Sequence, residues 1–579
     1  MNTVTLTIDG ISVTVPSDYT ILEAAKEASI NIPTLCYLKD LNKIGACRLC
    51  LVEVAGARGL LASCITQVAD GMVVKTNTAA LRKARKLNLE LLLSNHNREC
   101  TTCVRSQNCE LQALCRELGV DEYAFDGSKN EHTVDELSPS IVRDNSKCIN
   151  CRRCIAACNN MQKIGAIGAT RRGFSTSIGC VFDRSLADSP CINCGQCIIA
   201  CPVGALHEKS SINAVWSALN DPEKVVIVQP APAVRASLGE EFGMPMGTAV
   251  TGKLAAALRR LGFDKVFDTD FGADLTILEE GTELLNRLNG GGALPMITSC
   301  SPGWVKYCET FFPEFIPNLS TCKSPQQMTG ALIKTWFAER EGIDPNNIVS
   351  VSVMPCVAKK FEINRDDEDA AGVPDVDISI TTRELARMIK MAQLNFARLP
   401  EEDFDPVMGV STGAATIFGA TGGVLEAALR TAADVLEGVD HDNIEYKEIR
   451  GTKGFKEAVY KVAGMDVKVA VVSGLNNANE LLKKIESGEA DYHIVEVMCC
   501  PGGCVNGGGQ PIQPSTVRSF TDIKALRAKA LYDEDAAKTL RKSHLNPVVK
   551  ECYEWMGGEP GCHKAHELLH TSYVKRDRF

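Results

Sequence analysis

At 579 residues, 45% hydrophobic and 23% charged, the chain is long enough for several globular domains. Its formal charge of −10 argues against nucleic acid or an anionic membrane surface as a partner. No basic-then-apolar leader opens the sequence and no apolar run is long enough to span a bilayer, so a cytoplasmic protein without a membrane span is expected, where 26 cysteines favour metal over disulfides.

Residues 4–15 alternate apolar and polar side chains around Asp9-Gly10, which predicts a hairpin, and a helix is expected from Thr20 to Ala28. Cys36, Cys47, Cys50 and Cys64 follow on turn-like segments. Their spacing, C-x10-C-x2-C-x13-C, is wider than in plant ferredoxins, but it keeps the C-x2-C pair flanked by one cysteine on each side. That arrangement suits a [2Fe–2S] cluster; four thiolates around zinc is the alternative. Leu81–Ser94 reads as an amphipathic helix that runs into His96-x3-Cys100-x2-Cys103-x5-Cys109. One imidazole and three thiolates close a [4Fe–4S] cluster, and the neutral ligand alters its net charge and potential. A Cys3His zinc knuckle, or His96 as a plain helix cap, competes with this reading. Cys115 reads as structural.

The strongest local signal spans residues 148–201. Cys148, Cys151, Cys154 and Cys158 repeat the C-x2-C-x2-C-x3-C run of Cys191, Cys194, Cys197 and Cys201. In two-cluster ferredoxins the fourth cysteine of each run serves the other cluster. Cys148, Cys151, Cys154 and Cys201 are thus expected at one [4Fe–4S] site, and Cys191, Cys194, Cys197 and Cys158 at a second. Cys180, between the runs, reads as a free buried thiol.

From about residue 210 the pattern becomes α/β. Strands are expected at Val225–Gln229, Leu294–Thr298, Val349–Met354, Val467–Ser473 and His493–Met498. Helices are expected at Thr251–Leu261, Glu279–Leu288, Pro325–Arg340, Thr382–Leu394 and Thr421–Leu436. A doubly wound sheet, or two lobes of that type, binds ligands beyond the carboxyl ends of its strands. Thiols stand at three of those ends: Cys300, Cys356, and Cys500 with Cys504.

Thr298-Ser-Cys-Ser-Pro-Gly-Trp304, Met354-Pro-Cys-Val-Ala-Lys-Lys-Phe-Glu362 and Glu496-Val-Met-Cys-Cys-Pro-Gly-Gly-Cys504 closely resemble the three signatures of the [FeFe]-hydrogenases. The resemblance runs over essentially the whole chain, to a closing Ala565-His-Glu-Leu-Leu-His570 tail. It implies a multidomain α+β and α/β chain. Residues 1–78 would be a β-grasp plant-type ferredoxin domain, 79–125 a small His/Cys3 cluster domain, 126–209 a two-[4Fe–4S] bacterial ferredoxin-like domain, and 210–579 a two-lobed α/β H-cluster domain. The H-cluster joins a [4Fe–4S] cubane to a diiron unit that carries CO, cyanide and an azadithiolate bridge.

Carried over by position, the resemblance makes Cys356, Cys500 and Cys504 cubane ligands, with Cys504 bridging to the diiron unit. Lys359 would bond a cyanide, while Lys360 better fits a solvated lysine. Ala231, Pro232, Gln326, Met354, Phe418 and Met498 would line the diiron pocket. Glu280, Glu283 and Arg287 share a helix face at this spacing, and similarity places Cys300, Glu280, Ser320, Glu283 and Arg287 on a proton path; a solvated face is the alternative. The chain departs from the family at Cys300-Ser301, where two consecutive cysteines are usual, and at Cys499, where a small residue is usual. Ser301 as an alkoxide, Cys300 after a backbone shift, or Cys499 could complete the cubane. Soft-ligand preference ranks Cys300 first.

The implied reaction is reversible H2 oxidation and proton reduction, with ferredoxin or a flavin/NAD(P)-binding subunit as electron partner, possibly in an electron-bifurcating complex. No G-x-G-x-x-G follows a strand, so a nucleotide would belong to another subunit. Maturation proteins would install the diiron unit. The competing reading is a non-catalytic H2 sensor or cluster-assembly protein, against which Glu280, Glu283 and Ser320 all count. Cys308, Cys322, Cys552 and Cys562 carry no expected role.

Overall fold

The computed structural model describes residues 2–578 except 122–124, 126, 131 and 443. The expected domain boundary at residue 126 therefore lies outside the described residues.

The hairpin forms as expected: Thr3–Ile8 pairs antiparallel with Ile11–Pro16 in the register Ile8↔Ile11. Asp9 and Gly10 both take positive φ, as a two-residue turn that matches strand twist requires. The hairpin joins Val73–Lys75, Leu51–Val54 and Leu61–Ala62 in a five-stranded sheet. Helix Ile21–Glu27 starts on a capping box in which Thr20 and Glu23 satisfy each other's backbone N–H. It packs Ile21, Leu22 and Ala25 against Leu6, Ile8, Val52 and Val74.

Helix Ala79–Asn95 buries Leu81, Arg85 and Leu89. Arg85 donates to the carbonyls of Leu51 and Thr76 at 2.7 and 2.9 Å, anchoring the helix to the first sheet. Beyond it, Leu206–Glu208, Ile141–Asp144 and Val134–Asp135 form a small sheet beside the short helices Arg153–Ala156 and Gln196–Ala200. Gly195 presses this part onto the next: a Cβ there would lie 2.7 Å from Val357 and 3.0 Å from the Gly508 backbone.

Residues 210–578 build, among those described, two four-stranded sheets. In the first, Lys265–Val266, Val225–Pro230, Ile348–Met354 and Ile378–Thr381 are all parallel. In the second, Met296–Ile297, Ile494–Met498 and Met465–Ser473 are parallel, and Phe455–Val462 adds an antiparallel edge. Helix Thr269–Asn286 packs against Pro325–Leu332 and Gly423–Glu437. Gly272 permits the first approach, because a Cβ would sit 2.3 Å from Thr329 Oγ1.

Several expected bounds change. The helix expected from Glu279 begins ten residues earlier, at Thr269, where Asp268 caps it. Only Met296–Ile297 of the strand expected at 294–298 pairs. The helix expected over 325–340 widens into a π-type turn at Ile333–Phe337. Helices Ile523–Ala537, Pro547–Met556 and His563–Leu569 close the chain. Among the described residues no helix is long and apolar enough to cross a membrane.

Candidate active site and electron path

The N-terminal cysteines are arranged in two touching pairs. Cys50 and Cys64 bring their sulfurs to 3.2 Å, and Cys36 bonds Cys47. The bond from Cys36, aided by backbone N–H groups against burial, pulls the Cys47 thiol down to about 6. Two thiol pairs, each able to close one tetrahedral iron, fit a two-iron group.

His96 caps helix Ala79–Asn95 through its backbone, yet its ring suits a ligand too. The ring is buried, hydrogen-bonds the Lys147 backbone, and leaves Nδ1 without a partner. Burial, then the Lys147 charge, lower its pKa to about 4, so the imidazole is neutral, the form that binds metal. Cys100 is exposed, and Cys103 and Cys109 are half-buried.

The doubled run resolves into two enclosed cavities. One is lined by Cys148, Cys151, Cys154 and Cys201, the other by Cys158, Cys191, Cys194 and Cys197. Burial pushes the Cys148, Cys151 and Cys191 thiols up to about 12. Four converging thiols in a dry cavity cannot all ionise without a cation, so both sets fit a cationic iron–sulfur core.

In the large domain the strand ends meet as expected. Ile348–Met354 delivers Cys356, and Ile494–Met498 delivers Cys500 and Cys504. Burial, then the charges of Cys500 and Cys504, push the Cys356 thiol up, and burial with Cys500 pushes Cys504 to about 12. Cys300 and Cys504 pack against Phe418 and Met498. Ala231 and Met354 belong to the adjoining sheet core, and Pro232 is buried beside them.

Polar side chains around this pocket are held by each other. Lys359 Nζ donates to Ser324 Oγ and Glu362 Oε2, both at 2.7 Å, and to the Cys300 carbonyl at 3.4 Å. Gln326 spans Glu362 and Ser352 at 2.9 and 2.8 Å. Lys360, expected as solvated, is instead buried, donating to Ser211, the Ser379 carbonyl and Glu384. It ties the motif down because a buried ammonium needs a full set of acceptors.

A chain of ionisable groups leaves the pocket along helix Thr269–Asn286. Burial, then Glu280, push the Cys300 thiol well up, so it holds its proton. Burial, then Glu283, raise Glu280 to about 8 against a bond from Ser320. Glu280 Oε1 is buried without a partner. Ser320 Oγ donates to Glu283 Oε2 at 2.8 Å, and Arg287 Nη2 donates to Glu283 Oε1 at 2.6 Å. Arg287 also donates to the Leu319 carbonyl at 2.7 Å. Glu280 and Arg287 are buried and Glu283 is partly buried, unlike a solvated face.

Sequence reading passed over three groups here. Glu362 lies one turn after Lys359, a spacing that was available as a signal. Glu496 accepts the Gly422 and Leu425 N–H groups at the start of helix Gly423–Glu437. Glu279 accepts from Tyr553 at 2.5 Å and lies 3.1 Å from His570 Nε2, partners too distant in sequence to suggest each other.

Comparison with known proteins identifies the kinds of domain present. Residues 224–508 match the model described as iron only hydrogenase large subunit, C-terminal domain. Residues 1–79 match a 2Fe-2S iron-sulfur cluster binding domain, and 521–576 match iron hydrogenase small subunit. Residues 85–123 match an NADH-ubiquinone oxidoreductase-G iron-sulfur binding region, and 138–207 the ferredoxin-like domain of NADH-quinone oxidoreductase subunit 3. The NADP-reducing hydrogenase subunit HndD of Solidesulfovibrio fructosivorans is 51% identical over 100% of both chains. Iron hydrogenase 1 of Clostridium pasteurianum is 46% identical over 99% of this chain and 100% of its own. Among solved structures, a variant of the [FeFe]-hydrogenase HydA1 from Chlamydomonas reinhardtii aligns with a TM-score of 0.55 at 43% identity, covering 62% of this chain and 98% of that one.

Proposed function

The chain belongs to the iron-only, or [FeFe], hydrogenases, and we propose that it is the catalytic subunit of a nicotinamide-linked enzyme wired through four accessory clusters. The observation that carries the reading is the meeting of strand-end thiols Cys356, Cys500 and Cys504 with a buried acid chain leading outward from Cys300. In this reading residues 1–78 are a β-grasp domain holding a [2Fe–2S] cluster on Cys36, Cys47, Cys50 and Cys64. His96, Cys100, Cys103 and Cys109 hold one [4Fe–4S] cluster, and the two cysteine-lined cavities hold two more. Cys356, Cys500 and Cys504 would hold the H-cluster cubane.

When bound, the diiron unit, with CO, cyanide and azadithiolate, supplies the redox chemistry that interconverts H2 with protons and electrons. The chain's own residues move and hold protons. Cys300, a thiol at neutral pH, exchanges a proton with Glu280, which burial keeps able to donate near pH 8. Ser320 passes it to Glu283, and Arg287 fixes Glu283 at the outer end. Lys359 presents an ammonium to an anionic ligand, oriented by Glu362 and Ser324. Cys300 packs with Phe418 and Met498 and feels Glu280, which favours the relay role over the ligand role that softness alone ranked first. Ser301, whose Oγ accepts the Cys499 N–H at 3.2 Å, then takes the fourth cubane position.

The connected acid chain favours an enzyme over a sensor. The name of the HndD relative supports an NADP-linked partner subunit, and a cytoplasmic location and maturation by dedicated proteins go with that reading. The test is expression with the maturation proteins, with H2 evolution from a reduced dye alongside iron analysis of Cys300→Ala and Ser301→Ala. Cys300→Ala should keep its iron and lose turnover; loss of cubane iron in Cys300→Ala, with Ser301→Ala intact, would reverse the two roles.

A further inference from the structure

Cys322 carries no role in the electron path, and the fold sets it beside the outer half of the acid chain. Residues 321–323 pair with the C-terminal tail. Cys322 bridges antiparallel to His570, the Lys323 N–H donates to the Leu569 carbonyl at 2.8 Å, and the Thr571 N–H donates to the Thr321 carbonyl at 2.8 Å. Residues opposite each other across such a bridge turn their side chains to one face. Glu283 reaches that face from helix Thr269–Asn286. Its carboxylate, the Cys322 sulfur and a His570 ring nitrogen all lie within 4.8 Å of one another. Cys322 is buried, and the Glu283 and His570 side chains are 14% and 7% exposed, which leaves Glu283 as the side open to solvent.

Carboxylate oxygen, cysteine sulfur and imidazole nitrogen are the donors of a zinc site. Ligand atoms of a tetrahedral zinc stand about 3.3–3.8 Å apart, given bonds of about 2.0–2.3 Å. Cys322 Sγ and Glu283 Oε2 are already 3.9 Å apart, so side-chain adjustments of about 1 Å close the set. The ring is held as a ligand ring would be. His570 Nε2 lies 3.1 Å from Glu279 Oε2 and Nδ1 lies 2.7 Å from Thr321 Oγ1, so whichever nitrogen takes an ion, the other keeps a partner. Glu279 is itself fixed by the Tyr553 hydroxyl and the Gly561 N–H. Burial, then the charges of Glu280, Glu283 and Glu279, keep the proton on Cys322. A divalent cation replaces that proton, which leaves to solvent.

The atom that matters for turnover is Glu283 Oε2. It accepts the Ser320 hydroxyl at 2.8 Å and also faces the Cys322 sulfur, while Arg287 holds Oε1. An ion on this face takes the oxygen that exchanges protons with Ser320 and leaves the Arg287 contact in place. We propose that Glu283, Cys322 and His570 form a site for a thiophilic divalent cation of the zinc type, and that its occupation closes the proton path from the outer end. The closure rests on reading Glu283 as part of that path; the binding does not.

The experiment titrates the matured enzyme, its cluster cysteines occupied by iron, with Zn2+. The readouts are bound zinc, its ligand shell by zinc-edge X-ray absorption, iron content, and H2 evolution from a reduced dye before and after a chelator. The parent is expected to bind zinc with a single sulfur in its shell and to keep its iron. Its turnover should fall roughly 10²-fold or more, the weight of a positioned proton-transfer group, and return with the chelator. Cys322→Ser and His570→Gln should each keep their zinc-free activity and need at least roughly 10–100-fold more zinc for half inhibition, the loss that removing even a supporting partner brings. Zinc bound without sulfur, or inhibition equal in the parent and both variants, overturns the site. Zinc in an all-sulfur shell with loss of iron also overturns it, because a cluster has then been replaced. Zinc bound through a single sulfur with turnover unchanged upholds the site and overturns the closure, together with the place of Glu283 on the proton path.

Discussion

Replacing Ser320 by alanine removes the one hydroxyl that touches both acids of the proposed proton path. In the folded protein its Oγ donates to Glu283 at 2.8 Å, bonds Glu280, and accepts the Cys322 N–H at 3.2 Å. Glu283 keeps the Thr321 N–H and Arg287 as donors, so its charge stays satisfied. The Cys322 N–H does not: Cys322 is 1% exposed, and losing its acceptor costs about 1–3 kcal/mol. The variant should thus fold with a modest loss of stability. Turnover should fall much further, by roughly 10²–10⁴-fold, the usual weight of a positioned proton-transfer group. The assay is H2 evolution from a reduced dye at saturating donor, with cluster content checked by iron analysis. Turnover within a factor of about two of the parent, at full cluster content, would refute the path, because Ser320 is the group that bonds both Glu280 and Glu283.

Glu280→Gln should lose turnover to a similar degree and also flatten a pH dependence. Burial raises the Glu280 pKa from 4.5 to about 8, so between those values the folded protein holds a proton that the unfolded chain releases. The parent should lose stability relative to the glutamine variant as pH rises through that window and not below it, which paired melting curves will read. His96→Cys should retain its cluster and lower that cluster's potential, since a thiolate replaces a neutral imidazole; an unchanged potential would remove His96 from the ligand set. Asp535→Ala should cost about 3 kcal/mol or more, because Arg430 is fully buried and keeps only Glu426 as an ionic partner. Burial opposes the Asp535 charge, but Arg430 and Arg541 overcome it and hold the carboxyl below its usual range. The contribution is therefore present at neutral pH and fades as the solution is acidified through that lowered value.

What was readable in advance follows from how far apart the interacting residues lie. The Asp9-Gly10 turn and the C-x2-C runs are local: the hairpin forms at that turn, and each expected set of four cysteines lines one cavity. The strand-end thiols also converged, because parallel strands point their carboxyl ends the same way. Helix Thr269–Asn286 was started ten residues late because its first turns, from Thr269 to Ile277, are buried all round and show no amphipathic period. The Phe455–Val462 edge strand was passed over beside its more apolar partner Met465–Ser473, with which it makes a hairpin. Lys360 looked like a surface lysine because its partner Glu384 lies beyond the motif, in the next helix. The Glu279–His570 contact joins positions 291 residues apart, and no spacing rule reaches so far.

The C-terminal helices carry one more consequence. Residues 521–576 match a small-subunit model, yet here they are covalently continuous with the domain they pack on. Tyr553 and His570 reach Glu279, the residue before Glu280 of the acid chain, and Asp535 grips Arg430, so this segment is tied to the domain by buried polar contacts. A tether converts such docking from a meeting of two molecules into a ring closure, at an effective concentration on the order of millimolar. The assembled state of this region therefore does not weaken on dilution, and stoichiometry is guaranteed by translation of a single message.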